Sequence, residues 1–205
     1  MTDLAERWPL AELADVRDAL LAAYDDPSRG YHDSLHLTEV LDRLDELADA
    51  GVGFDPAVAA LAAWFHDAVY DGERDAEERS AMWAEEALDG TPYAAEVARL
   101  VRLTETHDPG EDDPDGQVLC DADLAILASP QQRYDAYVAG VRREYAYLSG
   151  PDFAAGRVAV LHDLAGRDRL FHTPYARETW EPAARANLGH ELEQLAAPRD
   201  ARGQE

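Results

Sequence analysis

Lysine is absent from the 205-residue chain, so all 18 basic residues are arginine and any anion clamp must be built from guanidinium groups, whose planar fork grips phosphate through two hydrogen bonds. Cysteine occurs once, at Cys120, which excludes an internal disulfide. Set in an apolar helical stretch, it reads as a small buried hydrophobe in a reducing compartment. The strand formers Ile, Val, Thr and Phe are sparse beside Ala, Leu, Glu, Asp and Arg. No apolar run is long enough to cross a bilayer, and Asp3, Glu6 and Glu12 stand where a basic leader would be. The expectation is a cytoplasmic protein with no membrane partner. Positive charge is scarce too: 18 basic against 43 acidic residues leave a formal charge of −25, whose field repels nucleic-acid polymers and anionic lipid.

What is present is helical periodicity. Leu10, Leu13, Val16, Leu20 and Leu21 predict a helix over 10–24, and Leu37, Val40, Leu41, Leu44 and Leu47 another over 33–49. Asp55-Pro56 has the form of an N-cap with proline in the first turn, and the helix it opens, 57–70, is apolar nearly all round and belongs at the centre. Further helices are predicted at 75–88, 92–107, 118–128, 131–148, 152–165 and 175–196, with an acidic loop at 108–116. The fold class expected is all-α, one domain over 1–196, with 197–205 as a disordered tail.

Three places break the apolar pattern with chemistry-bearing residues. His66-Asp67 lies in Trp64-Phe65-His66-Asp67-Ala68-Val69-Tyr70, where a buried carboxylate needs a cationic partner. An arginine beside a core histidine would satisfy it; so would a metal. His32 and His36 stand four apart just upstream, and His36 is in line with Val40 and Leu44, so it points inward. Asp121 and Asp123 interrupt the third apolar stretch, Leu119 to Leu127, and one of them could complete a two-His, two-Asp set suited to Mn, Fe, Co, Ni or Zn.

This ordered series resembles the HD-domain metalloproteins: a His, a His-Asp doublet on the next helix, then a distant Asp. More widely, the chain is similar to the predicted metal-dependent HD phosphohydrolases of bacteria. The likeness runs through Arg29-Gly30-Tyr31-His32 with His36, the segment Trp64 to Asp71, Glu77-Glu78 with Ser80-Ala81, Thr104 with His107, and Asp121 to Leu127. It continues through Arg142 with Glu144-Tyr145, Gly156-Arg157, and Ala184-Arg185 with Asn187-Leu188 and Glu191-Leu192, covering about residues 10–196. The resemblance implies an HD-type helical bundle with additional C-terminal helices. It implies a divalent transition metal, or Mg, on His36, His66, Asp67 and Asp123. Asp121 is the alternative ligand; Asp123 ranks first because the family's distant ligand follows alanine and precedes a hydrophobic residue.

The activity implied is hydrolysis of a small phosphoester or nucleotide by a metal-activated water. Arg29, Tyr31, Arg142, Arg157 and Arg185 would contact substrate, and Asp71, Glu77, Glu78, His32 and His107 would move or orient protons. Two other readings use the same residues. A di-iron oxygenase would need more inward histidines and finds only His32 and His107, since His162, His172 and His190 fall among polar helices. A non-catalytic sensor would bind a nucleotide-like ligand at the metal without turning it over.

Overall fold

The computed structural model describes residues 3–196 and is all-helical, with no strand among those residues. The tail expected at 197–205 lies outside the described residues. Two 3-10 turns, Leu4–Arg7 and Ala11–Leu13, lead into α1 (Ala14–Tyr24). Helix α2 (Ser34–Asp49) starts where the Asp33 carboxylate accepts the backbone N–H groups of Leu35 and His36, and buries the predicted stripe Leu37, Val40, Leu41, Leu44 and Leu47. Asp55 caps α3 (Pro56–Phe65) in the same way.

With seven of its ten residues buried, α3 is the central element and packs against α2, α5 (Ala94–Leu103) and α6 (Pro114–Leu124). Helix α4 (Ala76–Ala87) pairs with α5 on the outside. A 3-10 turn, Ala125–Ala128, follows α6, and the C-terminal part consists of α7 (Gln131–Glu144), α8 (Gly150–Gly166), α9 (Pro174–Thr179) and α10 (Glu181–Ala196). No helix among the described residues is long and apolar enough to cross a membrane.

The helix predicted over 57–70 ends at Phe65, ahead of the His-Asp doublet. Three side chains, His66, Tyr24 and Arg29, explain the stop. His66 Nδ1 donates to the Ala63 carbonyl at 2.7 Å, occupying the acceptor that a continuing helix would offer to the Asp67 N–H. The Asp67 N–H donates instead to the Tyr24 hydroxyl, and Arg29 takes the carbonyls of Asp67 and Ala68 at 2.7 and 2.9 Å. The segment predicted at 118–128 begins earlier, at Pro114, because Asp113-Pro114 repeats the cap-and-proline device of Asp55-Pro56. The helix predicted over 175–196 is interrupted at Trp180.

The turn before α2 meets α7 backbone to backbone. A Cβ added at Gly30 would overlap the Gly140 carbonyl oxygen, and one added at Gly140 would come within 2.6 Å of the Gly30 oxygen. Gly140→Ala is therefore expected to destabilise by about 1–3 kcal/mol through overpacking. Gly189→Ala, in α10 with open space around the new methyl, should gain up to about 1 kcal/mol from helix propensity. Thermal unfolding of the two variants checks the contrast; an unchanged Gly140→Ala midpoint would contradict the close approach.

Candidate metal centre

Three elements converge on one point. His36, in the first turn of α2, and His66, at the C-cap of α3, are both 2% exposed and face each other with their Nε2 atoms 3.0 Å apart. Asp67 Oδ2 lies 3.3 Å from His36 Nε2 and 3.1 Å from His66 Nε2. From the end of α6, Asp123 Oδ1 reaches the same two nitrogens at 3.2 and 3.5 Å. His36, His66 and Asp67 each offer a ligand atom within 4.8 Å of the other two.

His36, His66 and Asp67 fit a divalent ion: ligands bound at about 2.1 Å stand roughly 3.0–3.4 Å from one another in octahedral or tetrahedral arrangement, close to the 3.0, 3.3 and 3.1 Å between their facing atoms. Asp123 approaches both imidazoles but lies outside that three-residue group. The ring orientation fits as well: a carbonyl only accepts, so His66 carries a proton on Nδ1 toward Ala63, and Nε2 is the nitrogen it would offer to an ion. Burial opposes every charge in the group, but mutual attraction prevails. It holds the pKa of His36 up, that of His66 well up, and those of Asp67 and Asp123 well below the usual carboxylate range.

Asp121 is elsewhere. Fully buried, it accepts the backbone N–H groups of His172 and Thr173 at 2.6 and 2.8 Å, anchoring the segment that leads into α9. Burial pushes its pKa up to about 6 despite those two donors. His107, in a left-handed conformation just past α5, is placed at Asp123: its Nε2 meets Asp123 Oδ2 at 2.8 Å. His32 stacks on Tyr70, ring centroids 3.9 Å apart, and its Nδ1 lies 2.9 Å from Glu144 Oε2.

Glu144 has no assigned role in the sequence reading, and it is the residue that holds this turn. At the end of α7, its Oε1 accepts the N–H groups of Gly30, Tyr31 and His32 at 2.8, 2.7 and 2.9 Å. Burial disfavours its charge, yet His32 and the backbone donors lower its pKa to about 2. No local pattern marks Glu144, because its partners lie more than a hundred residues away.

A cavity of about 450 Å³ opens beside the cluster. Its polar lining groups include Asp67, Asp123, His32, His107, Thr104 and Glu77. Tyr31 also lines it, packed between His36 and Tyr137, and its hydroxyl is buried without a hydrogen-bond partner among the described residues.

Compared with known proteins, the chain matches no family model, no curated protein and no solved structure. The chemistry rests on the side chains themselves.

Several expected site residues are placed away from the cavity. Asp71 does not share a helical face with Asp67, since α3 has already ended; it is exposed and paired with Arg79 at 2.7 Å. Glu78 is exposed and paired with Arg102, which leaves Glu77 as the only one of the three carboxylates at the cavity. The four arginines expected at a phosphate are engaged within the protein. Arg29 holds the carbonyls of His32, Asp67 and Ala68, and Arg142 those of Tyr145 and Leu148. Arg185 bonds Glu181 and three carbonyls before α9. Arg157 reaches the cavity wall but makes a two-pronged pair with Glu191 and donates to the Tyr137 hydroxyl. Sequence spacing places an arginine on a helix and says nothing of which distant carboxylate or carbonyl takes its donors.

Proposed function

We propose that the protein is a metal-dependent hydrolase of small phosphoesters, with His36, His66, Asp67 and Asp123 holding one divalent transition ion, Mn, Fe, Co, Ni or Zn. The convergence of two imidazoles on two carboxylates that line a cavity carries this reading, and the HD-like order of the same residues supports phosphoester chemistry. When bound, the ion lowers the pKa of a water and draws charge from the phosphoryl oxygens. Water adds to phosphorus, the bond from phosphorus to the ester oxygen breaks, and that oxygen takes a proton to leave as an alcohol.

The chain's own residues supply the rest. Glu144 fixes the His32 ring through Nδ1, leaving Nε2 to carry a proton to the departing oxygen. His107 fixes Asp123 through the oxygen that faces away from the histidine pair. Glu77, half-buried at the cavity, is the further carboxylate able to hold a proton. Small cytoplasmic substrates suit this site; nucleic-acid polymers do not, given a charge of −25.

The test is turnover of a phosphomonoester and nucleotide panel by protein loaded with Mn, Co, Ni, Zn or Mg, with oxygen uptake followed in parallel. Metal-dependent phosphate release is expected. No release above blank across the panel would favour the non-catalytic reading, and oxygen uptake would favour the oxygenase.

Glu144→Gln gives a sharper result. It should keep its metal but lose about 10- to 100-fold in kcat, because the His32 ring loses the carboxylate that fixes its orientation. Stability changes in a defined window. The folded pKa of Glu144 lies below its ordinary value of 4.5, so its contribution is present above pH 4.5 and is lost as pH falls toward 2, roughly 3 kcal/mol in all. Acid titration of unfolding should show that loss in the parent protein and not in Glu144→Gln.

A further inference from the structure

We infer that the substrate carries a single anionic group on an apolar or aromatic body, and that compounds with several phosphates are excluded. The inference rests on the phosphoester reading above and names the class of ester. Apolar side chains make up much of the cavity wall: Leu124, Leu127, Val141, Leu148, Phe153 and Leu164, from the end of α6, the 3-10 turn after it, α7, the turn that follows, and α8. Val160, in the same wall, is 50% exposed, an apolar edge left in contact with water that the body of a ligand would cover.

Charge points the same way. Arg157 is the one guanidinium lining this cavity among the described residues, and its charge is already paired with Glu191, with a further N–H donated to the Tyr137 hydroxyl. The remaining charged lining groups are His32, His107, Asp67, Asp123 and Glu77. One phosphate would meet the ion directly. A second or third phosphate would meet the apolar wall or the carboxylates, with no guanidinium free of a carboxylate partner to receive it.

Calorimetric titration of metal-loaded protein with n-alkylphosphonates from methyl to hexyl tests binding without turnover, and the matching alkyl phosphates, phenyl phosphate and ATP test turnover. Kd and KM should each fall about fourfold per added methylene until the wall is covered. ATP should be at least about 100-fold poorer than phenyl phosphate in kcat/KM, the equivalent of one unpaired charged group left in the site. Val160→Asp, at an exposed position that tolerates a charge in the folded state, should weaken hexylphosphonate about tenfold and leave methylphosphonate unchanged. Chain-length-dependent phosphonate binding with no ester hydrolysed would support the apolar body while sinking the hydrolase reading. Turnover of ATP with a flat alkyl series would overturn the inference and leave that reading intact, and phosphonate affinity independent of chain length would overturn it by itself.

Discussion

Asp123→Asn should strip the divalent metal from the protein, whereas Asp121→Asn, two residues away, should retain it. Asn keeps the volume and removes the charge, so the pair isolates what each carboxylate does. Asp123 Oδ1 stands 3.2 and 3.5 Å from the facing imidazole nitrogens, and its other oxygen is held by His107. Removing its charge takes away a ligand and half of the negative charge that the four donors offer a dication. Affinity should fall at least about 100-fold, beyond the 10- to 100-fold typical of losing a group that merely orients a ligand.

Asp121 bonds none of these groups; its two oxygens serve the His172 and Thr173 N–H groups. Asp121→Ala should therefore leave metal content unchanged and lower stability by about 2–4 kcal/mol, the cost of two backbone donors left without an acceptor. Equilibrium dialysis with metal analysis and denaturant unfolding read the two effects separately. Metal lost from Asp121→Asn and kept by Asp123→Asn would reverse the assignment.

Arg157→Met should cost about 3–5 kcal/mol, enough to lower the unfolding midpoint by roughly 10 °C in a chain of this length. Arg157 and Glu191 are 8% and 4% exposed, and their two-pronged bond is extended by the Tyr137 and Tyr134 hydroxyls. Removing the cation leaves Glu191 buried with only Tyr134 as a donor. Methionine fills the stem but supplies no donor. The double variant Arg157→Met with Glu191→Leu removes both charges and should recover most of the loss. It also separates structure from recognition. If Arg157 gripped substrate, KM would rise in the double variant as well; the pairing in the structure predicts a KM within about threefold of the parent once stability is restored.

The sequence pattern carried the helices wherever local chemistry decides them. The stripe from Leu37 to Leu47 and the Asp55-Pro56 cap each gave an element in its expected place. So did the inward bearing of His36, which follows from its register with Val40 and Leu44. Asp113-Pro114 bears the same signal as Asp55-Pro56, and a loop was expected there because acidic neighbours masked it. What could not be read locally depends on bonds across long separations. The end of α3 is set by Tyr24 and Arg29, some forty residues upstream of the carbonyls and N–H they engage. Glu144 stands among the residues of the resemblance, but its role follows only from α7 lying against the turn at Gly30. The arginines were expected at phosphate because composition supplies no other cation, whereas in a chain with 43 acidic residues most guanidinium groups find a carboxylate or a carbonyl first.

The central claim is that His36, His66, Asp67 and Asp123 form one metal centre, and the most direct measurement is the metal content of parent and His66→Ala proteins after loading with Mn, Co, Ni or Zn and removal of free ion, with circular dichroism to confirm that both are folded. One tightly held ion per chain in the parent and none in folded His66→Ala is the predicted result. Equal ion content in the two proteins would contradict it.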